Sequence, residues 1–194
     1  MQRWTDLSDV PALAGSVVTI GNFDGVHRGD RSVLGAMVAG AHRGELTSVA
    51  VTFDPHPSQV HRPTEAPPLI TGLADRLELL AETGLDAVLL VSYTTEFAAQ
   101  EPEEFVRRYL VDALRARVVV IGRDVRFGRG NSGDLGTMVA LGERHGFAVQ
   151  VISDVHGGPD PERRWSSTWV RELLAAGDVR AAAEMVVIRI AHTA

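Results

Sequence analysis

The fold prediction starts from residues 17–41, VVTIGNFDGVHRGDRSVLGAMVAGA. Residues 17–20 form a compact apolar run that predicts a buried strand, and residues 33–41 have the pattern of a helix. The turn between them contains glycines and His27. Glycines let the backbone approach a ligand closely, and the free N–H groups at a helix N-terminus attract anions. The stretch therefore predicts a strand–turn–helix unit that binds an anion, with an ordinary junction as the alternative.

Short apolar runs alternate with helical stretches along the rest of the chain. Further strands are predicted at residues 47–53, 87–91, 117–121 and 147–152, and helices at 73–82, 102–114, 134–145, 168–176 and 179–185. Five apolar strands separated by helices predict an α/β fold with a doubly wound parallel sheet. In such sheets ligands bind outside the carboxyl ends of the strands. We therefore expect the functional residues in the loops that follow the strands.

Two motifs occupy such loops. FDPHP, residues 53–57, has two prolines that fix the loop and hold Asp54 and His56 at the edge of the sheet. GRDVRFGRGNSG, residues 122–133, combines three arginines with four glycines and offers Phe127 as an aromatic wall. The second loop is suited to a phosphorylated or planar ligand. A rigid turn and a flexible surface loop are the respective alternatives.

A third motif, SSTWVR at residues 166–171, opens a predicted helix. Its hydroxyl groups can bind phosphate, although Ser and Thr at a helix start equally well cap the helix. Arg171 in the first helical turn adds a positive charge. The motif is thus a second candidate phosphate site.

The composition excludes several chemistries. The chain has 194 residues and a formal net charge of −6, with no cysteine and with arginine as its sole cationic side chain apart from histidine. Disulfides, zinc–cysteine sites, iron–sulfur clusters, Schiff-base lysines and a Walker A lysine are therefore ruled out. The acidic balance and the absence of a basic run predict no nucleic-acid partner. Without a signal peptide or an apolar run of about 20 residues, the chain is expected to be cytoplasmic and not a membrane protein.

Six stretches carry a family resemblance that extends from about residue 17 to residue 185. They are GNFDGVHRG, VTFDPHP, TGLADRLELLAETGLDAVLLVSYTTEFA, EEFV, VVVIGRDVRFGRGNSGD and SSTWVRELLAAGDVRAAAEM. In this order they resemble the FAD synthetase (FMN adenylyltransferase) module of bacterial bifunctional riboflavin kinase/FAD synthetases. The resemblance implies a Rossmann-like sheet of the nucleotidyltransferase type. It also implies one such domain over residues 1–194, with no riboflavin kinase domain.

The implied reaction is transfer of AMP from ATP to the phosphate of FMN, which gives FAD and pyrophosphate with Mg²⁺ as the metal. The resemblance assigns catalysis to His27, Asp30 and Arg171. It assigns nucleotide binding to Gly21, Phe23, Asp24, His27, Gly29, Ser166, Ser167, Thr168 and Arg171. It places near the flavin the residues Phe53, Asp54, Pro55, His56, Pro57, Asp124 and Phe127. The expected partners are therefore ATP and FMN, and the oligomeric state stays open.

The sequence departs from the family at two site positions. Val125 stands where the family has Phe, and Asp30 replaces the second histidine of the family's His-x-Gly-His signature. A carboxylate about 4 Å from a phosphate oxygen is repelled by about 4 kcal/mol at an effective dielectric constant near 20. With the lost donor, this predicts a reaction slowed by about 10³–10⁴. The alternatives are that Asp30 holds Mg²⁺ through water, that the acceptor or donor base differs, and that the chain binds nucleotide or flavin without transfer.

Overall fold

Six parallel strands form the central sheet in a computed structural model that describes residues 1–157 and 160–186. They are β1 (Gln2–Trp4), β2 (Ser16–Ile20), β3 (Thr47–Asp54), β4 (Ala87–Ser92), β5 (Ala116–Gly122) and β6 (Ala148–Ile152), in the order β1-β4-β3-β2-β5-β6. Every neighbouring pair is parallel. The predicted α/β fold with a parallel sheet is confirmed.

Helices connect the strands near the predicted positions. They are α1 (Arg28–Arg43), α2 (Pro57–His61), α3 (Leu73–Ala81), α4 (Thr95–Ala98), α5 (Pro102–Phe105), a π-helix (Val106–Ala113), α6 (Leu135–His145), α7 (Ser167–Ala175) and α8 (Val179–Met185). The helix predicted at residues 102–114 is thus continuous but changes its hydrogen bonding after one turn. The short helices α2 and α4 were not predicted, because a single turn is too short to show a helical period.

Alternating side chains along the strands build two hydrophobic clusters, one on each face of the sheet. On β3, Val49 and Val51 belong to one cluster and Ala50 to the other. On β5, Val119 and Ile121 alternate with Val120 in the same way. Burial on both faces explains why these strands read as unbroken apolar runs.

Two strand segments escaped the sequence analysis. β1 has three residues, too few for a pattern, yet it pairs with β4 and buries Trp4. No strand was predicted between residues 153 and 166, but β7 (His156–Gly157) pairs antiparallel with β8 (Asp160–Arg164). This polar hairpin has no apolar alternation to predict it.

The strand order creates a switch point beside β2. The chain proceeds from β2 to β3 and β4 on one side, and β5 and β6 lie on the other side. Loops that leave the sheet in opposite directions open a crevice at such a point. Within residues 1–157 and 160–186, no helix is both long and apolar enough to cross a membrane.

Candidate active site

The loop after β2 ends in a reciprocal cap on α1. The backbone N–H of Asp30 donates to His27 Nδ1 at 3.1 Å, and the backbone N–H of His27 donates to Asp30 Oδ2 at 3.1 Å. Because Nδ1 accepts a hydrogen bond, the proton of the neutral imidazole is on Nε2. Nε2 lies 3.4 Å from Asp30 Oδ2. The two side chains therefore form one unit at the helix N-terminus.

The same loop holds its backbone in unfavourable conformations. Phe23 and Val26 have φ angles of 48° and 39°, in a region that side chains rarely adopt. Gly25 has φ 87°, and a Cβ there would lie 2.9 Å from Ile70. Such residues cost about 1–3 kcal/mol each and persist where the surrounding structure fixes them. Val26 is fully buried, so the residues packed around it hold its strained backbone in place. Strain of this kind is typical of functional loops.

Asp24 ties this loop to α7 and to the segment before α3. Its carboxylate, 1% exposed, accepts hydrogen bonds from the backbone N–H groups of Ile70 and Thr71 at 3.0 Å and forms an ion pair with Arg171. Ser167 Oγ donates to the Asp24 carbonyl at 2.8 Å. Arg171 Nε also donates to the carbonyl of Pro68. Asp24 and Arg171 were both predicted to bind nucleotide, but in the structure their side chains form an ion pair with each other.

A polar cavity of about 330 Å³ opens beside this unit, at the switch point. It is bounded by the loops after β2, β5 and β6, by the end of β8 and by the N-terminus of α7. Of the sequence-predicted nucleotide and catalytic residues, it brings together Gly21, Phe23, His27, Gly29, Asp30, Ser166 and Ser167. Asp24, Thr168 and Arg171 are not among its lining residues.

Arg164 lines this cavity and was missed by the sequence analysis. Its guanidinium pairs with Asp124 Oδ2 at 2.7 Å and with Asp154 Oδ1 at 3.1 Å. The hydrogen bond from Arg164 also lowers the pKa of Asp124. Asp124, predicted near the flavin, lies in the wall of the polar cavity. The sole signal for Arg164 was its place two residues before SSTWVR, within a segment that reads as a loop.

Burial favours the neutral form of both side chains at the helix cap. Desolvation, aided by the positive charge of Arg164, lowers the pKa of His27 to about 4, so the imidazole is uncharged at neutral pH. Desolvation raises the pKa of Asp30 to about 7, against the opposing hydrogen bond from the His27 backbone. Asp30 is therefore about half protonated at pH 7. A protonated carboxyl group can donate a hydrogen bond to a phosphate oxygen.

A second, aromatic cavity of about 240 Å³ lies on the other side of the loop after β2. Of the residues predicted near the flavin, Phe53, Pro57 and Phe127 line it, and Asp54, Pro55 and His56 do not. The rings of Tyr93 and Phe97, which the sequence analysis did not assign to the site, stand 5.5 and 5.7 Å from that of Phe53. Their position directly after β4 was the signal that could have found them.

The loop after β3 is held by other contacts. The backbone N–H of Ser58 donates to His56 Nδ1 at 3.2 Å, which caps α2. Buried Arg76 donates to the carbonyl of Phe53 at 2.9 Å and to the carbonyl of Asn22 at 3.2 Å, and lies 3.7 Å from Asp54. One arginine therefore joins the loops after β2 and β3.

The two cavities share a wall. Ile20, at the end of β2, and Asn22, in the loop that follows, line both of them. Thr52 Oγ1 and Arg76 both donate to the Asn22 carbonyl. The site therefore consists of two cavities, a polar one with two helix N-termini and an aromatic one. They meet at Asn22, whose backbone carbonyl is held by two hydrogen bonds.

Comparison with known proteins identifies the family. A sequence model described as FAD synthetase matches residues 9–168. The chain belongs to the FAD synthetase family. The match includes the loops after β2, β3 and β5 and reaches into the start of α7. All lining residues of both cavities of this FAD synthetase family member therefore lie within the matched region.

Named relatives agree with this assignment. The chain is 37% identical over 171 residues to the bifunctional riboflavin kinase/FMN adenylyltransferase of Escherichia coli (strain K12), and the match covers 88% of the chain and 53% of that protein. A Geobacillus thermodenitrificans (strain NG80-2) protein provisionally given the same name is 37% identical, with 86% of each chain covered. The chain thus spans about half the length of the Escherichia coli relative.

A solved structure has the same fold. The crystal structure of a macrolide-efflux protein from Streptococcus pneumoniae has a TM-score of 0.79 and 24% identity, and the match covers 95% of this chain and 60% of that one. At this identity the likeness concerns the fold alone. It agrees with the Rossmann-like sheet expected of a FAD synthetase family member.

Proposed function

We propose that the protein is an FMN adenylyltransferase, which transfers AMP from ATP to the phosphate of FMN and releases pyrophosphate. The observation that carries the proposal is the junction of a polar and an aromatic cavity at Ile20 and Asn22. A transfer between a nucleoside triphosphate and a flavin phosphate needs a polar and an aromatic compartment that meet at the reacting phosphates. Membership in the FAD synthetase family supports the same reaction.

The polar cavity suits the triphosphate. The N-termini of α1 and α7 offer backbone N–H groups with a favourable helix dipole. Arg164 adds a cation, and neutral His27 adds the N–H of its Nε2 as a donor. These groups would neutralise charge that develops on the phosphates during transfer.

The aromatic cavity suits the flavin ring. Its rings offer a large apolar surface with edge-on contacts, such as the 82° angle between Phe53 and Tyr93. Binding sites for planar cofactors are typically apolar with a few polar groups. With ATP in the polar cavity and FMN in the aromatic cavity, an oxygen of the FMN phosphate attacks the α-phosphorus of ATP. The bond between the α-phosphorus and the oxygen that bridges to the β-phosphorus breaks, and pyrophosphate leaves. Catalysis then consists of alignment and charge stabilisation, without a covalent intermediate.

The donor set fits a magnesium ion that arrives with ATP. Residues 1–157 and 160–186 contain no cluster of three or more His, Asp or Glu that would hold a metal by itself. Mg²⁺ commonly keeps several waters and binds one or two carboxylates together with substrate phosphates. Asp124 and Asp154 are the candidate carboxylates on the cavity wall, since burial favours the neutral form of Asp30. The ion would offset negative charge on the triphosphate.

The direct test is to incubate the protein with ATP, Mg²⁺ and FMN and to measure FAD and pyrophosphate. We expect equimolar formation of both products. Pyrophosphate without FAD in the presence of another phosphate monoester would indicate a different acceptor. Binding of ATP and FMN without either product would identify a binding protein and refute the enzymatic proposal.

Arg164→Gln is expected to weaken ATP binding by about tenfold, because the variant loses a charged donor in the polar cavity. FMN binding should not change. Calorimetric titration of each ligand measures both effects. Arg163→Gln is the matched control, since Arg163 pairs with Glu172 and does not line the cavity. Equal losses in both variants would contradict the assignment of Arg164 to the nucleotide.

A further inference from the structure

Gln100 places an unsatisfied hydrogen-bond acceptor in the wall of the aromatic cavity. Its Oε1 atom is buried and has no hydrogen-bond partner in the described part of the chain. Buried polar side-chain atoms almost always have a partner, and one that lacks it calls for an explanation. A ligand that donates an N–H group inside this cavity would supply the missing bond.

The backbone on either side fixes where this amide lies. The N–H of Gln100 donates to the carbonyl of Phe97 at 3.1 Å, and the carbonyl of Gln100 accepts from the N–H of Arg129 at 2.8 Å. The second of these bonds joins the segment after β4 to the loop after β5, and both segments line the cavity. The terminal torsion of glutamine is soft, so a small rotation turns Oε1 towards a ligand without moving the backbone.

Three other polar side chains of the cavity, those of His61, Tyr93 and Arg126, already have partners. His61 Nε2 and the Tyr93 hydroxyl are 2.8 Å apart and satisfy one another. Arg126 Nη1 donates to the carbonyl of Val125 at 3.0 Å. Gln100 therefore has hydrogen-bonding capacity to spare among mostly aromatic and aliphatic neighbours. A polar group in such surroundings orients a ligand and confers specificity.

We propose that Gln100 is a specificity-determining residue that hydrogen-bonds the imide edge of the flavin ring, with Oε1 accepting from the ring's N3–H. The proposal rests on the function proposed above. The ring has one apolar edge with two methyl groups and one polar edge, where N3–H lies between two carbonyl groups. A carboxamide has both an acceptor and donors, so it can pair with the N–H and an adjacent carbonyl at once. Gln100 would thereby fix the direction in which the ring enters.

The experiment combines a protein change with a ligand change. Gln100→Leu removes the amide, and N3-methyl-FMN lacks the N3–H donor. We expect wild type to bind N3-methyl-FMN at least tenfold more weakly than FMN, because a site that hydrogen-bonds an N–H discriminates strongly against its absence. Gln100→Leu should bind FMN about tenfold more weakly than wild type and should distinguish the two ligands by less than about twofold.

Two controls accompany this cycle. Gln150→Leu makes the same substitution at an exposed position of β6 outside the cavity, and it should behave as wild type. The analogue 5-deaza-FMN retains the imide edge and should bind both control and wild type as FMN does. Flavin fluorescence titration gives the affinities, and FAD formation from ATP is measured on the same samples.

The outcomes separate this inference from the proposed function. Suppose that the wild type forms FAD, but that wild type and Gln100→Leu lose affinity by the same factor when N3-methyl-FMN replaces FMN. The inference about Gln100 is then wrong, and the proposed function stands. If no FAD forms but only the wild type distinguishes FMN from N3-methyl-FMN, Gln100 binds the imide edge and the enzymatic proposal fails. Absence of FMN binding at high micromolar concentration would overturn both.

Discussion

Arg171→Ala is expected to lower the free energy of unfolding by about 3–5 kcal/mol, which corresponds to a fall in Tm of about 6–20 °C for a domain of this size. The guanidinium of Arg171 pairs with the carboxylate of Asp24, whose side chain is 1% exposed. Removing one partner of a buried pair leaves the other as an uncompensated charge in a poorly solvated position. The same change would release the contact between α7 and the segment before α3.

Thermal and urea unfolding measure this loss. Arg180→Ala is the matched control, since the Arg180 side chain is 94% exposed and its change should have little effect. Asp24→Asn should be destabilising as well, because the two residues act as one pair. An Arg171→Ala variant with the Tm of wild type and a weakened affinity for ATP would instead support the sequence-based assignment of Arg171 to the phosphates.

Asp30→Asn is expected to have a higher kcat/KM for ATP than the wild type, and this advantage should grow as the pH rises. Burial raises the pKa of Asp30 to about 7, and a negative phosphate nearby favours the protonated carboxyl. Above pH 7 nucleotide binding must therefore take up a proton, and this costs about tenfold for each further pH unit. The ratio of kcat/KM for ATP between Asp30→Asn and wild type should be about 2 at pH 7 and about 100 at pH 9.

The raised pKa of Asp30 makes its penalty at pH 7 smaller than the sequence predicted. An ionised Asp30 was predicted to slow the reaction by about 10³–10⁴, whereas a carboxyl group that protonates near pH 7 costs about twofold there. Asp30→His should likewise gain little at pH 7 and more at higher pH. Pyrophosphate release at several Mg²⁺ concentrations between pH 6 and 9 tests both variants.

Asp75→Asn is the control for the pH series, because Asp75 occupies the corresponding first-turn position of α3 and is exposed. Its pH profile should match that of wild type. A ratio that stays constant with pH would show that position 30 does not face the phosphates. Lower activity of Asp30→Asn that recovers at high Mg²⁺ would show that Asp30 holds the metal.

Much of the fold could be predicted because its signals are local. The apolar runs at residues 47–53 and 117–121 became β3 and β5, since strands buried on both faces leave unbroken hydrophobic stretches. β1 and the hairpin of β7 and β8 could not be predicted in this way. They are short or polar, and they form because an existing sheet edge or loop offers them a partner.

The candidate site was predicted in part for a similar reason. Parallel strands place their following loops at one edge, so the motifs at residues 21–30 and 122–133 could be expected at the same edge. The family resemblance added the motif at residues 166–171. Which side chains face the cavities depends on partners far away in sequence. Arg171 was expected at the phosphates and pairs with Asp24, while Arg164, from a segment that reads as a loop, lines the polar cavity.

The fold class, the family and the edge of the sheet that carries the site could all be predicted from the sequence. Hydrophobic periodicity and short motifs are properties of neighbouring residues, and they survive in the linear chain. The raised pKa of Asp30, the pairing of Arg171 with Asp24 and the unsatisfied acceptor of Gln100 became visible only in the folded chain. Desolvation and hydrogen-bond satisfaction depend on everything that surrounds an atom, and that environment exists only once the chain has folded.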